Sequence, residues 1–374
     1  MIYLDNGATT QVATEVVKEM DEVMLNDYGN PSSLHSLGRK AKELIEEVRE
    51  KIAKEINATA DEIIFTSGGS EANNLALNVL ESGDHLITTK IEHHSIEVTL
   101  KELEKKGIEV SQLNVDAEGV IDLEELKKSF KQNTKLVSVI HGNNEIGTLQ
   151  DLIKIGEVCS EKKVMLHSDC VQSFKKEKID VVKANLSMLS LSAHKIHGPK
   201  GVGALYVNKN IKIKPLIFGG AQENKKRAGT ENVPGIIGLG KAVELDLELD
   251  KVKELRDYFI KKVESEMEEV KLNGSRSNRL CNNANFSFKY VEGESLLMSL
   301  DLEGIAVSTG SACSSRSLKP SHVLMALGMG AEQAHGSIRF TFSKFNTKEE
   351  VDKTVDVLKK IVERLRKISP LRKK

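Results

Sequence analysis

The chain has 374 residues, enough for one large domain and a smaller second one, and its 54 basic and 55 acidic side chains give a formal charge of −1. This balance excludes a global field that would attract nucleic acid or an anionic membrane, so we expect small-molecule and protein partners. The N-terminus has no leader-like pattern and no apolar run approaches the roughly 20 residues of a membrane span, which predicts a soluble, cytoplasmic protein.

The four cysteines are too few and too scattered for a disulfide framework. None belongs to a C-x-x-C pair of the kind that binds zinc or an iron–sulfur cluster. We therefore predict free thiols and no metal site. The four residues are Cys159, Cys170, Cys281 and Cys313.

The N-terminal part predicts two helices, at residues 12–25 and 34–56, from its apolar periodicity. From residue 62 onward, short apolar runs alternate with helical segments. This alternation predicts an α/β fold with a mainly parallel sheet covered by helices on both faces. Ligands of such sheets bind at the carboxyl ends of the strands. Polar segments follow the predicted strands there: SGGSE at 67–71, IEHHS at 91–95, HGNNEIG at 141–147, SDCVQS at 168–173 and SAHK at 192–195.

The C-terminal part predicts a second, smaller α+β domain, reached through one long charged helical stretch at residues 237–270. In the segment SIRFTF, strict alternation turns Ile338 and Phe340 toward a core and Arg339 toward the other side. A final helix is predicted to begin with a capping box.

Lys195 has an unusual setting for a lysine, because small, hydroxyl and imidazole side chains surround it in the sequence and no carboxylate does. A partly desolvated lysine loses its proton readily and becomes a nucleophilic amine. A strand-end lysine that extends its ammonium into solvent fits the same pattern. The turn at residues 68–70, Gly-Gly-Ser between a strand and a helix, suits an anion, although glycines also serve any tight turn.

Three motifs, in this order, resemble those of the NifS/IscS group of cysteine desulfurases, which belong to the fold-type I pyridoxal-phosphate enzymes. They are YLDNGATT at 3–10, SLSAHKIHGPKG at 190–201 and SIRFTF at 337–342. The resemblance extends over nearly the whole chain. It implies that Lys195 carries pyridoxal 5'-phosphate covalently.

The resemblance also assigns the cofactor phosphate to a set of residues from two subunits, and so implies a homodimer with composite sites. It places His93 flat against the cofactor ring, available for proton transfer. Its neighbour His94 points to a different side, so the two are not expected to bind one metal. The implied phosphate-binding residues are Gly69, Ser70, Ser192, His194 and, from the second subunit, Thr230.

Three more residues match ring-binding positions of the family: Asn144, Asp169 and Gln172. A carboxylate beside the pyridine nitrogen keeps it protonated, and amide donors stabilise the anionic ring oxygen. Asn144 is also expected to contact the substrate. Without the resemblance, Asp169 at the end of a strand is equally consistent with a helix cap.

The resemblance makes Arg339 the clamp for the substrate carboxylate, a task suited to a guanidinium on a strand. It makes Cys313 the sulfur-accepting nucleophile, and this cysteine lies among small polar residues with no apolar pattern to bury it. Cys170 stands where the family usually has alanine, and we interpret it as a packing residue. Ala221 and Lys225 replace two expected glycines, so the backbone of that loop is expected to differ.

The predicted activity is conversion of L-cysteine to L-alanine, with Lys195 and His93 as candidates for proton movement. The sulfur would pass as a persulfide to an iron–sulfur scaffold or a tRNA-thiolation protein. A large cofactor-binding domain is expected at residues 12–255, and a small domain at 1–11 and 256–374. Alternatives are another fold-type I activity, such as an aminotransferase or selenocysteine lyase, and a non-catalytic sulfur-trafficking or regulatory partner.

Overall fold

The computed structural model of the protein describes residues 1–309 and 320–370. Its strands are β1 (Ile2–Tyr3), β2 (Ile63–Thr66), β3 (His85–Thr89), β4 (Glu109–Leu113), β5 (Thr134–Ile140), β6 (Met165–Asp169), β7 (Met188–Ser192), β8 (Gly203–Val207), β9 (Val270–Asn273), β10 (Asn283–Phe288), β11 (Ile305–Ala306) and β12 (Ser337–Thr341). Its α-helices are α1 (Thr14–Asn26), α2 (Ser36–Glu55), α3 (Gly69–Leu77), α4 (His94–Lys105), α5 (Leu123–Ser129), α6 (Leu152–Glu161), α7 (Val233–Glu244), α8 (Leu249–Glu266), α9 (Gly293–Leu302), α10 (His322–Ala326), α11 (Ala331–His335) and α12 (Lys348–Ile368).

The larger sheet has seven strands in the order β2-β8-β7-β6-β5-β3-β4. Neighbouring strands run parallel from β7 to β4, and β8 is antiparallel to both β2 and β7. The mainly parallel α/β fold predicted from the alternating pattern is therefore confirmed. Because β5, β6 and β7 are parallel neighbours, their carboxyl ends meet at one edge of the sheet.

Helices cover both faces of this sheet, since alternate residues of one strand enter different hydrophobic clusters. Ile63 and Phe65 of β2 pack in a cluster with residues of α1, α2 and α7. Ile64 between them packs in another cluster, with residues of α3 and α4. Such burial on two faces explains why the strands read as continuous apolar runs.

A second sheet of three antiparallel strands has the order β12-β10-β9 and packs against α8, α9 and α12. Phe259 and Phe340 lie at the centre of this cluster, with ring centroids 4.7 Å apart. The predicted capping box of α12 is confirmed, because the Thr347 and Glu350 side chains each accept from the other residue's backbone N–H.

The N-terminus belongs with this second sheet. Strand β1 pairs in parallel with β11, and Asp5 forms a bridge to Thr341 of β12. The predicted domain limit at residue 255 falls within α8, whose Val252 and Leu255 join the smaller cluster. The limits of the two domains stay a prediction.

The prediction of one continuous helical stretch at residues 237–270 is wrong. Helix α7 ends at Glu244, α8 begins at Leu249, and Glu248 between them has a φ of +50°. A left-handed residue cannot continue an α-helix, so the chain turns there. Among the described residues, no helix is both long and apolar enough to cross a membrane.

Candidate active site

A cavity of about 340 Å³ opens at the carboxyl edge of the large sheet. Most of the residues that the sequence singled out line it together, although they are far apart in the chain. Thr230 is not among its lining residues, and Cys313 lies outside the described residues. The predicted residues that line the cavity are Gly69, Ser70, His93, Asn144, Asp169, Gln172, Ser192, His194, Lys195 and Arg339.

The turn between β2 and α3 forms one end of the cavity. Gly68 has a φ of +150°, a conformation that favours glycine, and a Cβ on Gly69 would lie 2.6 Å from a methyl group of Val171. The first N–H groups of α3 have no partner within the helix. Nearby, the Ser192 hydroxyl is buried without a hydrogen-bond partner. Together these groups form a seat for an anion.

Asp169 is the last residue of β6 and is 3% exposed. Its Oδ1 accepts from the Val171 backbone N–H at 2.9 Å, and its Oδ2 accepts from Asn73 Nδ2 at 2.7 Å. These two donors fix the plane of the carboxylate. It can serve as an oriented acceptor for a protonated ring nitrogen.

His93 is the N-cap of α4 and also lines the cavity. Its Nδ1 accepts from the backbone N–H of Ser95 at 3.1 Å and lies 2.8 Å from the Ser95 hydroxyl. Burial lowers the pKa of His93 below its ordinary value. The His93 imidazole therefore both caps α4 and lines the cavity.

The segment YLDNGATT contributes backbone carbonyls to the site. Lys195 Nζ donates to the carbonyls of Gly7 and Ala8, at 2.7 Å each, and Gln172 Nε2 donates to Gly7 at 2.8 Å. A single 3₁₀ turn after β7, Ala193–Lys195, orients the lysine. The N-terminal segment thus holds both polar side chains at the cavity wall.

His194 has a neutral imidazole, because burial lowers its pKa to about 3. Its Nδ1 lies 3.2 Å from the Thr9 hydroxyl. It can therefore offer an uncharged hydrogen bond to a bound group.

Arg339 of β12 is 2% exposed and reaches the cavity from the second sheet. Its Nη1 donates to the Asn144 carbonyl at 2.7 Å, and its Nη2 lies 2.9 Å from Asp5 Oδ1. Arg339 Nε and Asn144 Oδ1 are both buried without hydrogen-bond partners. Leaving such groups unsatisfied is costly, so they fit a polar ligand that would satisfy them.

Two buried carboxyl groups in the cavity wall were not predicted. Burial raises the pKa of Glu92 to about 8 and that of Glu145 to about 7. Glu92 directly precedes His93, and Glu145 directly follows Asn144, both of which were predicted. The sequence alone gives no sign that these two glutamates are buried. Both are therefore expected to bind a proton more readily than ordinary glutamates.

Asn73 and Ser95 also escaped prediction, although both line the cavity. Ser95 is the last residue of the IEHHS segment and lies in the first turn of α4, and Asn73 lies in α3, two residues beyond SGGSE. The usable signal was their position, because the first turn of a helix after a parallel strand faces the ligand edge of the sheet.

The residues present fit pyridoxal 5'-phosphate. An anion seat with an unsatisfied hydroxyl at Ser192 suits the phosphate, and the Asp169 carboxylate suits a pyridinium nitrogen. The amine of Lys195 lies in the same cavity. The cavity therefore has the three groups that this cofactor requires.

Thr230 is exposed and lines a separate pocket of about 160 Å³ with Ser67, Arg227 and Glu231. Its loop is held by the buried Glu223, which pairs with Arg49 of α2 and accepts from the Phe65 N–H of β2. Within the described chain, Thr230 is not brought to the cofactor cavity.

The chain matches known proteins over nearly its whole length. The model of the aminotransferase class-V family matches residues 2–354. Cysteine desulfurase IscS of Dictyoglomus turgidum is 53% identical over 379 residues, covering 99% of this chain and 96% of that protein. Cysteine desulfurase IscS of Methanosarcina thermophila is 46% identical over 380 residues, covering 99% of this chain and 94% of the relative.

Solved structures agree with this relationship. A NifS-like protein from Rickettsia africae has a TM-score of 0.89 and 36% identity, covering 97% of this chain and 99% of its own. The structure of SspA in complex with cysteine has a TM-score of 0.84 and 36% identity, with 93% and 100% covered. The chain therefore belongs to the aminotransferase class-V family and, within it, to the IscS/NifS cysteine desulfurases, which depend on pyridoxal phosphate.

Proposed function

We propose that this protein is a cysteine desulfurase that converts L-cysteine to L-alanine and transfers the sulfur to its own Cys313. The observation that carries the proposal is the convergence of an amine, an oriented carboxylate, an anion seat and an arginine fork on one cavity. The cysteine complex of the related SspA supports L-cysteine as the substrate.

The cofactor residues divide by chemistry. When bound, pyridoxal phosphate supplies an electron sink that labilises bonds to the substrate α-carbon. Lys195 Nζ is the proposed attachment point, and Asp169 would hold the proton on the ring nitrogen. Gln172 stands ready to hydrogen-bond the ring oxygen through the second hydrogen of its Nε2. The proposed phosphate ligands are Gly69, Ser70, Ser192 and His194.

The substrate is held by its carboxylate. Arg339 presents its unsatisfied Nε and part of its Nη2 to the carboxylate, and Asn144 Oδ1 accepts from the substrate or cofactor. The amine of Lys195 would be the group that removes and returns the proton at the substrate α-carbon. His93, which lines the same cavity, would lie against the face of the cofactor ring.

Sulfur transfer requires a thiolate that reaches the substrate sulfur. The Cys313 thiolate attacks that sulfur, the carbon–sulfur bond breaks, and its electron pair returns to carbon together with a proton. The balance is L-cysteine plus one enzyme thiol giving L-alanine plus one enzyme persulfide. This role of Cys313 rests on its motif and on the family, and we propose an iron–sulfur scaffold or a tRNA-thiolation protein as the next acceptor.

We also propose a homodimer in which Thr230 completes the phosphate site of the second subunit. Support comes from the loop itself, since Thr230 is exposed and does not line the cavity of its own chain. Close to it in sequence, Phe218 is 83% exposed and Ile217 41% exposed. Exposed apolar groups of this kind are typical of subunit contacts.

A cytoplasmic location follows from the proposed chemistry. A persulfide carrier needs its thiols reduced between turnovers, and reducing compartments supply that condition. The three cysteines that the structure describes are buried and form no disulfide.

The decisive experiment incubates the purified protein with L-cysteine and measures alanine and sulfide with and without a thiol reductant. We expect alanine in stoichiometric excess over enzyme only when the reductant releases sulfide. Alanine formation that requires a keto-acid acceptor would indicate an aminotransferase, and turnover of selenocysteine alone a selenocysteine lyase. Absence of alanine would leave a non-catalytic sulfur-trafficking or regulatory role.

A further inference from the structure

A continuous chain of hydrogen bonds joins His93 to Asp169 through two side chains with no assigned role. Asn73 Nδ2 lies 2.7 Å from Asp169 Oδ2 and 2.8 Å from the Ser95 hydroxyl. That hydroxyl lies 2.8 Å from His93 Nδ1. Asn73 is 1% exposed, so its two bonds do not compete with bulk water.

The chemistry of the partners fixes the direction of each bond. A carboxylate only accepts, so Asn73 directs its NH₂ group toward Asp169 and uses the second hydrogen for Ser95. The Ser95 oxygen is then an acceptor, and its own hydrogen is available for His93. The backbone N–H of Ser95 also donates to His93 Nδ1, at 3.1 Å. Two donors therefore converge on Nδ1, which must carry a lone pair.

The electrostatic setting disfavours a second proton on this imidazole. Burial is the main cause that lowers the pKa of His93, and nearby Lys195, His94 and His322 lower it further, against the opposing charge of Asp169. His93 is also the N-cap of α4, where the positive end of the helix dipole disfavours a cation. A neutral imidazole with a lone pair on Nδ1 carries its proton on Nε2.

We propose that Asn73 and Ser95 are positioning residues that hold His93 as the neutral tautomer protonated at Nε2. His93 then acts as a hydrogen-bond donor in the cavity and not as a base. This inference rests on the proposed function, in which His93 lies against the cofactor ring. Of the two candidates for proton removal from the substrate, it leaves the amine of Lys195.

The direct test is nuclear magnetic resonance of the holoenzyme labelled with ¹⁵N-histidine, with the His93 signals identified by their loss in His93→Gln. Two-bond proton–nitrogen correlations distinguish the two neutral tautomers from the cation. We expect the Nε2–H pattern at neutral pH. A dominant Nδ1–H pattern, or a cation, would overturn the proposal.

Variants of Ser95 and Asn73 test whether these two residues cause the preference of His93 for the Nε2–H tautomer. Ser95→Ala keeps the backbone donor but removes the hydroxyl, so the minor Nδ1–H population should rise about fivefold, as expected for one lost hydrogen bond. Asn73→Leu should act in the same direction, because the Ser95 hydroxyl loses its orienting donor. Ser95→Thr should restore the wild-type ratio.

Thr99→Val is the matched control. Thr99 lies one turn further along α4, and its hydroxyl bonds to Asn74 Oδ1 and the Ser95 carbonyl without touching His93. We expect kcat to fall about threefold to tenfold in Ser95→Ala with KM unchanged, and to stay normal in the control. Identical tautomer ratios in Ser95→Ala and Thr99→Val would overturn the positioning role.

The failure of this inference and of the proposed function can be told apart. The tautomer is read without turnover, so its value stands even if the protein forms no alanine. Full activity of His93→Ala, which has no side-chain donor, would overturn both the donor role and the catalytic contact proposed for His93.

Discussion

Arg339 shows how one residue can be held ready for a ligand. Two of its nitrogens bond to the Asn144 carbonyl and the Asp5 carboxylate, while its Nε is buried and unsatisfied. The guanidinium is therefore fixed in orientation but incompletely paired. A substrate carboxylate would complete the set by a forked contact that shares Nη2 with Asp5.

Replacing Arg339 by lysine should separate the effect of the positive charge from that of the planar guanidinium. Lysine keeps the positive charge but loses the planar fork, so we expect KM for L-cysteine to rise about tenfold to hundredfold. The visible absorbance of the bound cofactor should not change. Arg256→Lys, a buried arginine outside the cavity that bonds to the Leu280 carbonyl, is the control for general destabilisation. An unchanged KM in Arg339→Lys would contradict the clamp role.

Substitutions of Cys170 and of Cys313 should have opposite effects on turnover and persulfide formation. Cys170 is completely buried, and burial raises its pKa to about 12, so its thiolate is scarce at neutral pH. Cys313→Ser should keep the cofactor spectrum and the spectral change on adding cysteine, but form no persulfide and almost no alanine. Cys170→Ala should keep turnover. Mass spectrometry of trapped persulfide checks both, and persulfide on Cys170 would refute the assignment.

At the scale of elements, the loop that carries Thr230 has an unusual backbone. Glu223, Asn224 and Lys225 have φ values of 45°, 53° and 65°, so three successive side chains lie in the left-handed region. The bonds of the Glu223 carboxylate offset the cost of this left-handed backbone, because the carboxylate pairs with Arg49 and accepts from the Phe65 N–H. The glycine expected at position 225 would adopt this conformation without strain.

Lys225→Gly should therefore stabilise the protein slightly, by up to about 1 kcal/mol, because relief of left-handed strain exceeds the added freedom of the unfolded chain. Lys226→Gly is a matched control, since Lys226 has a φ of −87° and gains nothing from glycine. It should destabilise by about 0.5–1 kcal/mol. Denaturant unfolding monitors both, and equal effects of the two substitutions would contradict the strain argument.

The elements that the sequence predicts best are those whose apolar period matches their burial. Strand β12 is such a case, because Ile338 and Phe340 join the core while Arg339 turns to the cavity. The break at Glu248 could not be predicted, since Leu245 and Leu249 continue the apolar spacing across it. The antiparallel direction of β8 leaves no mark in its composition.

The residues of the candidate site could also be predicted only in part. The strand-end segments could be predicted to meet because carboxyl ends of parallel strands share one edge. The roles of Asn73 and Ser95 could not be predicted, since these roles come from bonds between two helices that only the folded chain brings together. Whether Thr230 completes a second subunit's site depends on a partner surface, which a single sequence does not specify.

At the scale of the whole molecule, buried carboxyl groups couple stability to pH. Burial raises the pKa of Glu92 to about 8, so the folded state holds a proton that the unfolded chain releases above about pH 4.5. The stability that this group contributes is complete below that value and is lost as the pH rises through about 8. Glu145, with its pKa raised to about 7, adds to the same trend.

Glu92→Gln should flatten this dependence, because glutamine cannot ionise yet can still accept from the Thr89 hydroxyl and the Ile140 N–H. We expect the fall in Tm between about pH 5 and about pH 9 to be smaller in the variant than in the wild type. Glu104→Gln, at an exposed position of α4, is the control. If Tm fell with pH as steeply in Glu92→Gln as in the wild type, the argument from the burial of Glu92 would be contradicted.

The proposed homodimer makes a prediction about assembly. Thr230 lies in a pocket separate from the cofactor cavity, and Phe218, near the same loop, is 83% exposed. If the loop completes a neighbour's phosphate site, a dimer of one Lys195→Ala subunit and one Thr230→Ala subunit holds one intact site and one doubly impaired site. Each variant should be impaired alone, because one lacks the amine and the other a phosphate donor.

Co-refolding equal amounts of the two variants should then restore activity to about a quarter of the wild-type value, since half of the randomly assembled dimers are mixed and each has one working site. A threonine that served its own subunit would give no such gain, because the only lysine-bearing site would still lack its donor. Light scattering supplies the independent check. A fully active monomer at assay concentration, or mixtures no more active than the average of their parents, would rule out the composite site.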